Sequence, residues 1–256
     1  MRDLRWYNEK TRQLAKQLLK HEIMTKNCLL LCLIIWSGCL FAQDVERQQL
    51  IDNYVIEYLR ILSNQSALYY GKAQEGHQRA LNHPYLKDMQ YAKASLSYFG
   101  ITYPEALLRL DWSRDELVIQ SPDFQNIVLA PENVDFAELH GEHIVYFRRD
   151  SLRGCPSTGY YILLYSGNCR VLEKQTTMLL IDKKAEYYYS ITTNFYLYKD
   201  NIYHRVWNKR TLLKVLHPYK KELKRFISTH NLRFRRDAPE FIRQTVSEYE
   251  KLSGSL

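Results

Sequence analysis

The stretch YYYSITTNFYLY, residues 187–198, sets the fold. Its odd positions (Tyr187, Tyr189, Ile191, Thr193, Phe195, Leu197) are mostly apolar, and its even positions (Tyr188, Ser190, Thr192, Asn194, Tyr196, Tyr198) are polar or tyrosine. Successive side chains of a strand point to opposite faces, so this period of two predicts a strand with one buried and one wet face. Downstream, Lys199-Asp200-Asn201 turns into a last strand, Ile202 to Trp207. Upstream, Ser166-Gly167-Asn168 joins Tyr160 to Tyr165, apolar on both faces and suited to a central position, to Arg170 to Ile181. Further back lie Ser95 to Tyr103, Ala106 to Asp111, a turn at Trp112 to Asp115, Glu116 to Ser121, Asn126 to Leu129, Val134 to Leu139 and His143 to Phe147. Many short strands with no helix between them imply antiparallel pairing.

Helical spacing returns at both ends. Leu50, Ile51, Tyr54, Val55, Tyr58 and Leu62 make one stripe of a helix expected over residues 44–62. A short strand, Ala67 to Tyr70, is expected next, then a polar, irregular connection over 71–93, long enough to mark function or disorder. At the other end a short helix over 211–216 precedes Pro218, placed where a first helical turn tolerates proline. Tyr219, Leu223, Phe226 and Ile227 stripe a second helix. Asp237-Ala238-Pro239-Glu240 reads as an N-cap with a capping-box glutamate, opening a third helix striped by Ile242, Val246, Tyr249 and Leu252. The expected fold is α+β, mainly antiparallel β: a twisted, curled sheet over 95–207, an N-terminal helix and polar loop over 43–94, and basic amphipathic helices over 208–256 packed on the sheet.

Residues 24–42 carry the expectation of location. A cation (Lys26), an apolar run from Cys28, small residues at Ser37 and Gly38, and Ala42 before Gln43 follow the order of a secretory signal peptide. Residues 1–23 would then be untranslated or an extended basic lead, and the mature chain would begin at Gln43. The alternative is lipoprotein processing at Cys39, since Ser37-Gly38-Cys39 resembles a lipobox, although Trp36 departs from it. Without residues 1–42 the chain holds 29 basic and 25 acidic side chains, a net +4 rather than the formal +8. That charge is uneven, with 14 basic and 6 acidic groups in 199–256 and 15 and 19 in 43–198. Two cysteines remain, Cys155 and Cys169, a possible disulfide in an oxidising compartment. A strand between them would hold their ends about 25 Å apart, far beyond disulfide reach.

Four groups of residues carry a resemblance: Asn64-Gln65-Ser66-Ala67-Leu68-Tyr69; His83-Pro84-Tyr85-Leu86; Leu108-Arg109-Leu110-Asp111 with Glu116-Leu117-Val118; and Lys220-Lys221-Glu222-Leu223. In these the chain resembles an uncharacterised family of secreted proteins from anaerobic Gram-negative bacteria. The resemblance implies an envelope or extracellular role and brings no assigned reaction, cofactor or catalytic residue.

No G-x-S-x-G elbow, Walker loop, G-x-G-x-x-G or H-E-x-x-H occurs. His140-Gly141-Glu142-His143 is the nearest approach to a metal site and reads more simply as a polar hairpin turn. His77 and His83, on the long polar loop, are better placed for ligand contact or acid–base work. The sharpest feature is Lys220, Lys221, Lys224 and Arg225, at i, i+1, i+4 and i+5 opposite an apolar stripe, with Arg233, Arg235 and Arg236 just beyond. Such a face attracts anionic lipid headgroups, acidic glycans or an acidic protein, or it only solvates the helix. Export disfavours nucleic acid. The tyrosines on the wet face of 187–198 are expected to lie under the closing helices, the alternative being exposed rings that stack on sugars or pack against a protein partner. The sequence therefore points to an exported, non-enzymatic binding or scaffold protein of the cell envelope, with no cofactor implied. The alternatives are a carrier of a small apolar ligand in a curled-sheet pocket, and a hydrolase whose site has no legible motif.

Overall fold

The computed structural model describes residues 50–56, 58 and 67–254. The segment 24–42, Cys39 and the segment 1–23 lie outside the described residues. The chain divides into two compact units at Glu57–Tyr58. In the smaller unit, residues 50–56 form helix α1, within the helix expected over 44–62; 44–49, 57 and 59–62 lie outside the described residues.

The larger unit is built on one antiparallel sheet of eleven strands. They are β1 (Lys72–Ala73), β2 (Ala92–Tyr98), β3 (Ile101–Asp111), β4 (Glu116–Gln120), β5 (Asn126–Val128), β6 (Val134–Leu139), β7 (Glu142–Phe147), β8 (Gly159–Ser166), β9 (Arg170–Ile181), β10 (Tyr187–Lys199) and β11 (Ile202–Val206). Their order is β1-β5-β4-β3-β2-β6-β7-β8-β9-β10-β11, and the sheet does not close. Three helices follow: α2 (Lys209–Val215), α3 (Lys220–Thr229) and α4 (Ala238–Gly254). None of the helices described is long and apolar enough to cross a membrane.

Three expected segments are corrected. Ala67–Tyr69 is a 3-10 turn rather than a strand. The run expected as one strand from Ser95 to Tyr103 folds back at Phe99-Gly100, both with positive φ (54° and 71°), a two-residue hairpin turn between β2 and β3. The segment 71–93, expected to be irregular throughout, contributes β1 and the first residues of β2. Pro104 sits where the β2–β3 register shifts between Ala94 and Leu96, a bulge that spares the ladder a missing N–H.

The helices cover one face of the sheet. Leu212, Leu213, Leu216, Leu223, Ile227, Phe241, Ile242 and Val246 are buried in one cluster with Ile162, Leu164, Val171, Phe195 and Leu197. Each such side chain stabilises the fold by about 1.5–3 kcal/mol. Asn208 caps α2 through a reciprocal capping box with Thr211. Asp237 accepts the Glu240 N–H at 3.0 Å and so starts α4. The Glu240 carboxylate does not complete the expected box; it accepts from Arg243 and Gln244 instead.

The other face carries the tyrosines, contrary to the expectation that the closing helices cover them. Tyr196 and Tyr198 pack with Tyr161, Leu172, Tyr203, Phe147, Leu152 and Cys155 in a separate cluster. Cys169 lies in the helix-side core, so the sheet separates the two thiols, and both are free.

Candidate functional site

Two arrangements gather the residues singled out in the sequence. One is a polar knot at His77. The other is the basic surface of α2 and α3.

The knot forms because residues 74–91 run as a strap from β5 to the open side of β10. Gln74 N–H donates to Asn126 O (2.8 Å), Trp112 N–H to Pro84 O (3.0 Å) and Leu86 N–H to Leu110 O (3.0 Å). Leu81 N–H then donates to Tyr187 O at 2.8 Å. In the sheet, five strands separate β3 from β10. One short strap reaches both only because the sheet curls strongly.

At the centre, Asp111 ends β3 with its carboxylate 0% exposed. It accepts from the Gln74 amide (3.1 Å), from the N–H groups of Ser113 (2.9 Å) and Arg114 (3.3 Å), and from His77 Nε2. The other imidazole nitrogen, Nδ1, lies 3.0 Å from the Tyr189 hydroxyl. Arg109 crosses above, its guanidinium 4.0 Å from the centre of the Tyr85 ring and 4.3 Å from that of Tyr91. It donates to Gln74 Oε1 (3.0 Å) and to Met89 O (2.9 Å). Burial pushes the Tyr91 hydroxyl up to about 12, and burial followed by the Asp111 charge raises Tyr189. Burial likewise raises the Glu116 carboxyl.

An Asp–His pair is a general-base device when one imidazole nitrogen faces substrate. Here both nitrogens are engaged, and the ring is 13% exposed. The knot acts chemically as a tie between strap, β3 and β10. His83 does not join it: the ring stacks on Tyr85, and its Nδ1 is buried without a partner among the described residues. His140 and Gly141 form the tight turn between β6 and β7, with φ of 55° and 77°. His143 pairs with Glu138, while Glu142 takes Lys87 at 2.6 Å. Among the described residues no group of three or more His, Cys, Asp or Glu side chains is arranged to hold a metal ion.

The basic surface is simpler. Leu223 and Ile227 anchor α3 in the core, with Tyr219 and Phe226 half-buried beside them. The opposite side therefore faces solvent, and Lys220, Lys221, Lys224 and Arg225 are all exposed. Lys209, Arg210 and Lys214 of α2, and Arg233, Arg235 and Arg236 after α3, extend the surface. None of these ten cations has a carboxylate partner among the described residues, and Glu222 is the one acid in 209–236. Cys155 and Cys169 are not part of either arrangement. Burial raises both thiols, Cys169 to about 11.

No family model, curated protein or solved structure matches the chain. The basic surface therefore carries the functional reading.

Proposed function

We propose that this chain is an exported binding protein of the bacterial cell envelope, holding an anionic surface on the exposed side of α3. The observation that carries the reading is the row Lys220, Lys221, Lys224 and Arg225, exposed and without carboxylate partners among the described residues. Ordinary solvated helices intersperse both signs, as α4 does with Glu240–Arg243 and Glu248–Lys251. On α3 the charge is left for an external partner. The signal-like order of 24–42 and the resemblance to secreted proteins support an envelope location.

Cosedimentation with vesicles of phosphatidylglycerol and phosphatidylcholine tests it. Binding is expected at low salt and is lost as salt rises, because exposed charges are screened beyond about 10 Å at 0.1 M. Each cation near an anionic bilayer contributes about 1 kcal/mol, so changing all four to Gln lowers affinity on the order of a hundredfold or more. Wild-type protein that ignores these vesicles at low salt removes the proposal.

A further inference from the structure

Beside the α3 face, a groove of about 640 Å³ runs between the edge strand β11 and helix α2. That volume lies within the roughly 300–1,000 Å³ typical of small-molecule sites. Its walls include Arg205, Trp207, Lys214, His204 and His217. Trp207 is 63% exposed, whereas Trp112 is 4% exposed in the core. An isolated exposed ring needs no explanation, but this one stands in a groove between cations. The groove's one acid, Asp200, is already paired with Lys199. The Arg205 guanidinium is held from one side by Asn194, which fixes its direction and leaves further N–H donors unused. Lys214 and His217 are exposed and have no acidic partner among the described residues.

The strand edge adds backbone groups. Tyr203 N–H donates outward to Arg153 O at 2.9 Å. Residues two apart on a strand point their N–H and C=O the same way, so those of Arg205 also face the open edge. The groove thus offers an aromatic face, fixed cations, and a backbone donor and acceptor.

Few ligand classes use all three. An acyl chain would lie on Trp207, Ile202 and Val215 but would leave Arg205 and Lys214 without a counter-charge. A free phosphate would leave the indole idle. A sugar ring stacks on an aromatic face through its C–H side, its hydroxyls take backbone groups, and an acidic substituent takes the cations. We infer that the groove between β11 and α2 binds an acidic sugar residue, its ring stacked on Trp207 and its carboxylate or phosphate held by Arg205 and Lys214. The inference rests on the preceding reading only in placing the chain among envelope polymers.

Calorimetric titration of the full chain with a galacturonic acid hexamer tests it, with maltohexaose as the neutral control and a glutamate hexamer as the acidic peptide control. The galacturonate hexamer is expected to bind, and both controls to bind at least about tenfold more weakly. Trp207→Ala is expected to lower affinity about tenfold, Trp207→Phe by no more than about threefold, and Arg205→Gln with Lys214→Gln to abolish binding. Replacing Lys220, Lys221, Lys224 and Arg225 together with Gln should leave this affinity within about twofold while removing vesicle binding, so the two readings fail separately. The inference is overturned if wild type ignores the galacturonate hexamer, if the glutamate hexamer binds as well, or if Trp207→Ala binds undiminished.

Discussion

Asn82 pairs with Tyr189 as a neighbouring strand would. Its Nδ2 donates to Tyr189 O at 2.9 Å, and its Oδ1 accepts from Tyr189 N–H at 2.7 Å. The pairing matters because β11 covers β10 only from Phe195 to Lys199, which leaves the outer half of that edge open. An open edge invites pairing with another chain. One carboxamide supplies both hydrogen bonds that a strand residue would have made there.

Asn82→Ala removes both bonds and frees the Tyr189 amide. A lost bond to a buried backbone group costs about 1–3 kcal/mol. Urea denaturation should report a loss of that size, and hydrogen exchange should show the Tyr189 amide deprotected relative to Leu197. Unchanged exchange at Tyr189 would mean that Asn82 does not cap the edge.

The tie at His77 yields a coupling measurement. His77→Ala leaves Asp111 buried with its Gln74, Ser113 and Arg114 donors, and is expected to cost about 1–3 kcal/mol. Asp111→Ala also strips the β3–β4 turn of its acceptor and should cost about 3–5 kcal/mol. The double variant is expected to be more stable than the sum predicts by about 1–2 kcal/mol, since both changes break one contact. Additive losses in a denaturant series would show that the two side chains act separately.

Glu173 is a buried carboxylate on the core side of β9, opposite Phe195 and Ile162, with Gln175 as its hydrogen-bond donor. Burial raises its pKa above the ordinary carboxylate value. A raised acid favours the folded state fully below the unfolded pKa, and that contribution is lost as pH rises through the folded one. Glu173→Gln removes the dependence. The variant should therefore melt higher than wild type at pH 7 by a few degrees, with the gap closing as pH falls below the ordinary carboxylate range. A gap that is constant with pH would assign the gain to something other than charge burial.

The sheet is readable because its signals are local. Turn signals between short runs place β6 and β9 at their observed bounds, and Gly141 marks its hairpin. Helical spacing likewise separates Leu223 and Ile227 from Lys220, Lys221, Lys224 and Arg225 on α3. The turn at Phe99-Gly100 is hidden within SLSYFGITY, a run of β-formers, and Gly100 is its one signal. Ile191 shows where the period-two reading stops. It lies on the apolar face of β10 but is 49% exposed, and Leu179 and Ile181 further along β9 are exposed too, because the helix-side core ends near Phe195. Pattern gives the face; only tertiary structure gives its length. The contact of His77 with Asp111 and Tyr189 spans 34 and 112 residues and obeys no spacing rule. Only the placement of His77 on the polar loop points toward it. The groove at Trp207 escapes a sequence reading for a similar reason, since Arg205 and Lys214 become neighbours only when α2 folds back along β11.

A second tie holds the curl, and it yields the most direct test of the architecture. Asp115, in the turn between β3 and β4, accepts from Tyr160 N–H at 3.1 Å and from Lys174 Nζ at 2.9 Å through each carboxylate oxygen. It thereby joins one end of the sheet to β8 and β9, across the strands between them. Lys174 is nearly buried and lies 4.7 Å from the centre of the Tyr161 ring, with Asp115 as its carboxylate partner. Gly159 makes room for this contact. Its φ is +146°, and a Cβ there would overlap both the Asp115 carboxylate and the Lys174 ammonium. Gly159→Ala must then distort the backbone or push the turn away from β8, leaving a buried cation without its partner. The expected cost is about 3 kcal/mol, within the range for breaking a buried pair and somewhat below its upper end because Asp115 is partly in water. Because the alanine acts through the displaced carboxylate, Asp115→Ala should be comparably unstable, and adding Gly159→Ala to it should cost only the backbone strain of about 1–2 kcal/mol. Chemical denaturation of the three variants measures this. Full additivity would show that Gly159 is required by its own backbone alone, and that the Asp115–Lys174 contact does not hold the two ends of the sheet together.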